Sequence, residues 1–248
     1  FWKRQQQVHW MPEEVPLGED CKDWVIKLND GERNLLTQIF RFFTQADVEV
    51  NDNYMERYSQ VFKPTEVKMM MSAFSNIETV HIAAYALLLE TIGMPDTEFS
   101  AFLEYKEMAD KHDYMQEFTI DSNHEIAKTV AMFGGFTEGL QLFASFAMLL
   151  NFPRYNKMRG MGQIVTWSVR DETLHCNSMI RLFKTFIEEN PDYAPKSKMT
   201  ISRTRFNKWL TAYGLFREGV APTEGRDMNG RWIIFTTKEA EQNPTLPF

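Results

Sequence analysis

Four stretches of this 248-residue chain place apolar residues three and four positions apart, and a carboxylate breaks each stripe near its middle. The first runs Phe40, Phe43, Asp47, Val50, Tyr54, and the second Phe74, Glu78, His81, Tyr85, Leu88. The third runs Ala131, Gly135, Glu138, Leu142, Phe146, Leu149, and the fourth Val165, Ser168, Glu172, His175, Met179, Leu182. Such spacing marks the buried face of an amphipathic helix. An acid at the centre of that face is very costly unless it is paired, protonated or bound to metal. None of the four stripes contains Lys or Arg. Two divalent ions would balance the four carboxylates and leave both imidazoles as neutral ligands.

The spacing within the stripes narrows the chemistry. Glu78-Thr-Val-His81 and Glu172-Thr-Leu-His175 are both Glu-x-x-His, which sets the two groups on one helix face. One such pair is weak evidence, since a lone acid in an apolar stripe is more often a boundary residue. Two pairs with two further acids, each centred in its own stripe, form the donor pattern of carboxylate-bridged dimetal bundles. Asp47 stands where the generic pattern has Glu. Oxygen and nitrogen donors of this kind suit iron or manganese.

The rest of the chain organises around these stripes. Helices are predicted from Asp30 or Gly31 to about Tyr58, from a Thr65 cap to Ile92, and over 97–115. Another starts near Ser122, with Glu125 completing a capping box, and ends before Pro153; the last runs from about Asn156 to Glu189. Residues 1–30 lack steady periodicity and read as an arm lying on a body formed by 31–190. Residues 191–248 read as a basic appendage and tail, because 196–238 carry nine Lys/Arg against three Asp/Glu. Phe206–Leu210 suggests a short helix there, and Asn229-Gly230 a hairpin turn. The fold class is therefore all-α with a small C-terminal α+β appendage.

Composition excludes other classes. A net charge of −7 is not that of a polycation built for nucleic acid. The longest strongly apolar run, Leu142–Leu150, is nine residues, against ~20 for a membrane span, so no membrane insertion is expected. Two cysteines, Cys21 and Cys176, fit a reducing compartment, and the expected location is cytoplasmic. Both cysteines read as structural, with Cys176 pointing away from the acids. His9, His112 and His124 have no acid at ligand spacing in a core stripe and read as surface or capping residues.

Over about residues 8–185 the chain resembles the small, radical-generating subunit of class I ribonucleotide reductase. The likeness is carried by Trp10-Met-Pro-Glu-Glu, the Asp47 stripe, Glu78-x-x-His81-x-x-x-Tyr85, the Glu138 stripe and Arg170-Asp171-Glu172-x-x-His175. It implies a ferritin-like four-helix-bundle core with additional helices. It implies Asp47, Glu78, His81, Glu138, Glu172 and His175 as ligands of two iron ions, oxygen-bridged after oxidation, with manganese as the alternative. It further implies that dioxygen oxidises the centre, that Tyr85 becomes a stable radical, and that His81, Asp171 and Trp10 pass the oxidising equivalent on. The receiver is a catalytic large (alpha) subunit that reduces ribonucleotides to deoxyribonucleotides, and the small subunit is a homodimer. The residues themselves agree in part. Tyr85 lies four positions after His81 on one face, and Leu142 and Phe146 are expected to wall it. Ser168 is more polar than that pocket needs and is expected to face elsewhere. Asp171 points off the ligand face, where it could accept from the far ring nitrogen of His81 or pair with Arg170 or Lys157. Trp10 is expected on the surface arm, with Trp2 and Trp24 as hydrophobic staples.

The chain also departs from that family. Its members usually continue with two more helices and a tail bearing a relay Tyr. Here about sixty residues follow the last stripe, and no Tyr follows Tyr213. Such a compact subunit would suit a virus, with the host cytoplasm as its location. The rival readings are a di-iron oxidase or hydroxylase acting on a small molecule, a ferritin-like iron store, and a winged-helix-like nucleic-acid module. That module would place Arg203, Arg205, Lys208, Arg226 and Arg231 on phosphates.

Overall fold

A computed structural model describes residues 1–95, 97, 106–191, 225–226 and 232–233. The chain divides into two compact units, Phe1–Ala194 and Pro195–Phe248. In the second, β1 (Gly225–Arg226) pairs antiparallel with β2 (Trp232–Ile233), Arg226 opposite Trp232. The helix predicted at 206–210, the Asn229-Gly230 turn, and Arg203, Arg205, Lys208 and Arg231 lie outside the described residues.

The first unit is helical. Its arm consists of α1 (Trp2–Gln7), a single 3-10 turn (Pro12–Glu14) and α2 (Gly18–Ile26). Each piece is too short to show a period in sequence. α3 (Asp30–Asp52) opens on a capping box: the Asn29 side chain accepts from the Glu32 N–H, and the Glu32 carboxylate accepts from the Asn29 N–H, both at 2.9 Å. It continues through a π-helical stretch, Asn53–Tyr58, and a last turn, Ser59–Val61. α4 (Thr65–Thr91) has Pro64 in the cap position, so Thr65 is its first helical residue rather than its cap. α5 is Lys106–Gln116; residues 98–105 of the predicted third helix lie outside the described residues. α6 comprises Asn123–Ala131, a π-helical stretch Met132–Gln141, and Leu142–Leu149. Ser122 accepts from the Glu125 N–H at 3.2 Å, but the Glu125 carboxylate pairs with Lys128, so only half of the predicted capping box forms. A short α7 (Asn151–Arg154) precedes α8 (Arg159–Glu189).

Four of these helices close a ring: α3 on α4, α4 on α8, α8 on α6, and α6 on α3. Each carries one of the acids, and each is flanked by two apolar clusters. Phe43, Tyr85, Leu142 and Val165 belong to the cluster on one side of the acids, and Val50, Phe74, Val130 and Met179 to the other. The third stripe is shifted from its expected register. Ala131 and Gly135 are only half-buried, while Val130, Phe133, Gly134 and Thr137 are buried. The π-helical stretch is the cause, because its wider turn rotates the face that precedes Glu138. Gly134 and Gly139 let α6 lie close on α8: a Cβ would come within 2.4 Å of Met179 Cβ at the first and 2.7 Å of Cys176 Sγ at the second.

The span Asn123–Arg154, 32 residues, is long and apolar enough to cross a membrane by length and composition, although no long run of strongly apolar residues occurs in it. In the bundle it is a core helix with buried Glu138 at its middle.

The arm is fastened to the start of α8 by two buried acids. Asp20 accepts from the Gly160 and Met161 N–H groups at 2.9 and 2.6 Å, and Asp23 accepts from the Met158 N–H at 2.9 Å. These are the N–H groups that a helix leaves without partners of its own. Asp20→Ala removes both acceptors from a buried site and should lower unfolding stability by about 1–3 kcal/mol. A fall in the urea midpoint at unchanged slope checks this.

Candidate metal centre

The acids and imidazoles of the four stripes meet in the middle of the ring. Two overlapping groups form, Glu78–Glu138–Glu172–His175 and Asp47–Glu78–His81, and within each the donor atoms lie inside 4.8 Å of one another. Glu78 belongs to both. It places Oε2 3.4 Å from His81 Nδ1 and Oε1 3.0 Å from His175 Nδ1. Glu172 does the same, with Oε1 3.3 Å from His81 Nδ1 and Oε2 3.6 Å from His175 Nδ1. The two glutamates of the Glu-x-x-His pairs thus span both histidines. Asp47 completes one side and Glu138 the other.

These contacts are near enough for Coulomb attraction but misaligned for hydrogen bonding. Asp47 Oδ2, Glu138 Oε2, both carboxylate oxygens of Glu78 and of Glu172, and His175 Nδ1 are buried without a hydrogen-bond partner. Buried polar atoms rarely stay so. Burial, with Glu78 nearby, pushes the Asp47 carboxyl well up, and burial with Glu172 nearby does the same to Glu138. Burial also works against charge on Glu78, yet His81 and His175 beside it bring it down to about 2. Burial likewise opposes charge on His175, but Glu172 and Glu78 lift it to about 10. Burial thus opposes negative charge on Asp47 and Glu138 unless positive charge is supplied beside them, and two divalent ions would supply it. The donor set fits a dinuclear metal centre, which Asp47, Glu78, His81, Glu138, Glu172 and His175 would hold, with Glu78 common to both groups of donors.

A second layer of hydrogen bonds sets which nitrogens face inward. His81 Nε2 lies 3.3 Å from Asp171 Oδ2, and the same oxygen accepts from Trp10 Nε1 at 2.8 Å. His175 Nε2 lies 3.2 Å from Gln5 Oε1, while Gln5 Nε2 donates to Asp171 Oδ1 at 3.2 Å. With both Nε2 atoms donating outward, both Nδ1 atoms are left as donors to the centre, the arrangement that orients a ligating histidine. Asp171 also receives Arg170 at 3.4 Å, whereas Lys157 goes to Glu32 instead. Trp10 is 2% exposed rather than on the surface, and it packs on Trp167 with ring centroids 5.0 Å apart. Gln5 carries no signal in the sequence. It opens a run of three glutamines of which it alone is buried, and its partners lie more than 160 residues away.

Tyr85 is buried, and its hydroxyl has no hydrogen-bond partner. Phe43 stacks on it at 4.9 Å and on Phe146 at 5.1 Å, and Leu142 and Phe146 lie in the same buried cluster, so Phe43 joins the expected wall. Ser168 does not face elsewhere: it is buried close to the Tyr85 hydroxyl. Trp24 packs on the core as a staple would, but Trp2 is exposed. Cys176 is half-buried against Gly139. His112 pairs with Glu49 and His124 with Glu125, away from the centre.

Residues 1–210 match the family described as the small chain of ribonucleotide reductase. The chain is 51% identical over 204 residues to a probable ribonucleoside-diphosphate reductase small subunit of Invertebrate iridescent virus 6, an alignment that covers 76% of this chain and 56% of that one. It spans about half the length of the curated relatives it matches. Among solved structures it is similar to a putative class I ribonucleotide reductase from Bacillus halodurans, with TM-score 0.76, 20% identity, and coverage of 85% of this chain and 80% of that one. It is less similar to an R2-like ligand-binding oxidase, with TM-score 0.60, 16% identity, and coverage of 77% and 70%. The fold is the ferritin-like bundle.

Because Glu78 serves both groups while Glu138 serves one, their removal should differ. Metal analysis after anaerobic loading should find two ions per chain in the native protein, about one in Glu138→Ala, and less than one in Glu78→Ala. Equal losses in the two variants would contradict the shared role of Glu78.

Proposed function

The chain belongs to the ribonucleotide reductase small-chain family, and from that premise we propose that it serves as the radical-generating subunit of a ribonucleotide reductase. In this reading it works as a homodimer with a large catalytic subunit, which converts ribonucleotides to deoxyribonucleotides. Iron is the proposed metal, with manganese as the alternative. When bound and exposed to dioxygen, the dinuclear centre supplies a strong one-electron oxidant.

The chain's own residues do the rest. Tyr85 would give up one electron to that oxidant and its phenolic proton to the carboxylate of Asp47, whose charge acts on the hydroxyl, and be left as a neutral radical. Phe43 stacks over it in a buried, largely apolar cluster that keeps water from the ring. Burial pushes the Tyr85 hydroxyl well above its ordinary pKa, so the phenol stays protonated until it is oxidised. His81 and Asp171 hold the way out: the imidazole leans on the carboxylate, and the carboxylate accepts from Trp10. Oxidised Trp10 can leave its indole proton with Asp171 and recover it when the electron returns.

The observation that carries this reading is the line His81 Nε2–Asp171 Oδ2–Trp10 Nε1, at 3.3 and 2.8 Å. An iron store has no use for it, nor does an oxidase that keeps its oxidising power at the centre. Low-temperature electron paramagnetic resonance of the iron-loaded, oxygen-exposed chain should show a tyrosyl signal, lost in Tyr85→Phe. Persistence of the same signal in that variant would refute the assignment. Trp10→Phe and Asp171→Asn should keep the signal but lower ribonucleotide reduction with the large subunit by at least about a hundredfold, or roughly 3 kcal/mol of barrier. Turnover at the native rate in either variant would remove this route.

A further inference from the structure

The centre has a second buried tyrosine that the mechanism above does not use. Tyr54, on the π-helical stretch of α3, donates its hydroxyl to Glu138 Oε1 at 2.7 Å. Its ring meets His175 edge-on at 6.3 Å and Phe74 at 6.0 Å. It therefore touches two donors of one half of the centre, Glu138 and His175. Tyr85 is four residues from His81 and belongs to the other half. Glu138 is one of the clustered donors, and its Oε2 is buried without a hydrogen-bond partner.

We propose that Tyr54 is a positioning residue for the Glu138 half of the centre: it occupies Oε1 and leaves Oε2 as the single oxygen offered to a divalent ion. Three features support this. The phenol is held by packing on both sides, so the hydrogen bond costs little further ordering. A carboxylate oxygen engaged by a hydroxyl donor is a poorer chelating partner, which disfavours two-oxygen binding by Glu138. The Asp47 half has its tyrosine, Tyr85, with no hydrogen bond to any ligand. The two halves thus differ in how firmly a terminal carboxylate is aimed, and they should take up metal in separable steps.

The assignment rests on the dinuclear reading, and the test separates the two. Tyr58, one turn beyond Tyr54, donates to the Thr129 carbonyl at 3.2 Å and stacks edge-on with Tyr54 at 5.6 Å. It supplies a packing control. The full chain, Tyr54→Phe and Tyr58→Phe are titrated anaerobically with ferrous iron, following near-infrared circular dichroism of the bound ions and their number by equilibrium dialysis. Thermal melts of the metal-free proteins run alongside. In Tyr54→Phe one binding step should weaken about 10–100-fold, as expected when a group orienting a ligand is lost. Its ligand-field bands should shift, while the other step stays within about twofold. Tyr58→Phe should lower the melting temperature and leave both steps and both spectra unchanged. Native steps and bands in Tyr54→Phe overturn the assignment, as does a Tyr58→Phe variant that reproduces the Tyr54→Phe spectrum. A native chain that binds no second ion overturns the dinuclear reading, and this assignment falls with it.

Discussion

Mutual repulsion among four buried carboxylates is the constraint around which the bundle is arranged. Each acid sits where an apolar residue would have been simpler, and each is contributed by a different helix. An isolated ionised carboxylate in such surroundings is not tolerable. Their convergence is useful only with a compact positive charge between them. The same convergence fixes how the helices meet, because Glu78 and Glu172 must each reach both imidazoles. The apolar clusters to either side of this layer supply the burial energy that keeps it closed.

Asp171 joins this layer to the arm. One carboxylate collects His81, Trp10, Gln5 and Arg170, and Gln5 goes on to His175. Both imidazoles are therefore oriented by a network that includes residues from the first ten of the chain. Asp20 and Asp23 pin the same arm to the backbone at the start of α8, about ten residues before Asp171. The arm is thus part of the site's scaffold, and its Trp10, Val15, Leu17 and Leu28 belong to the bundle's core cluster as well. A partner that binds near the arm would have a mechanical connection to the centre through hydrogen bonds that depend on direction.

What the sequence revealed followed from period and local chemistry. Apolar spacing located the four ring helices, and acids out of place in the stripes located the centre. Glu-x-x-His spacing was enough to group His81 with Glu78 and His175 with Glu172. What it hid depends on contacts between distant segments. Tyr54 is visible as a core residue, but nothing in its own stripe says that its hydroxyl meets Glu138 on another helix. Gln5 looks like part of a polar run because its partners are contributed by the far end of the bundle. The arm has no period that would reveal the buried face of Trp10. The appendage, legible as basic, contributes to the described structure only one antiparallel pair.

The π-helical stretches mark where local and global preferences diverge. One carries Tyr54, the other Glu138, and the two residues are joined by a hydrogen bond. A π turn is rarely stable on its own and tends to occur at functional positions. In α6 it presents Thr137 and Glu138 together to the interior, while Gly134 and Gly139 bring the backbone down onto Met179 and Cys176 of α8. A regular α-helix with side chains at those two positions would hold α6 farther from α8, and with it the Glu138 carboxylate from Glu172 and His175. The irregular backbone is therefore what brings the fourth acid within reach, and the Tyr54 hydroxyl then restricts which of its oxygens is presented.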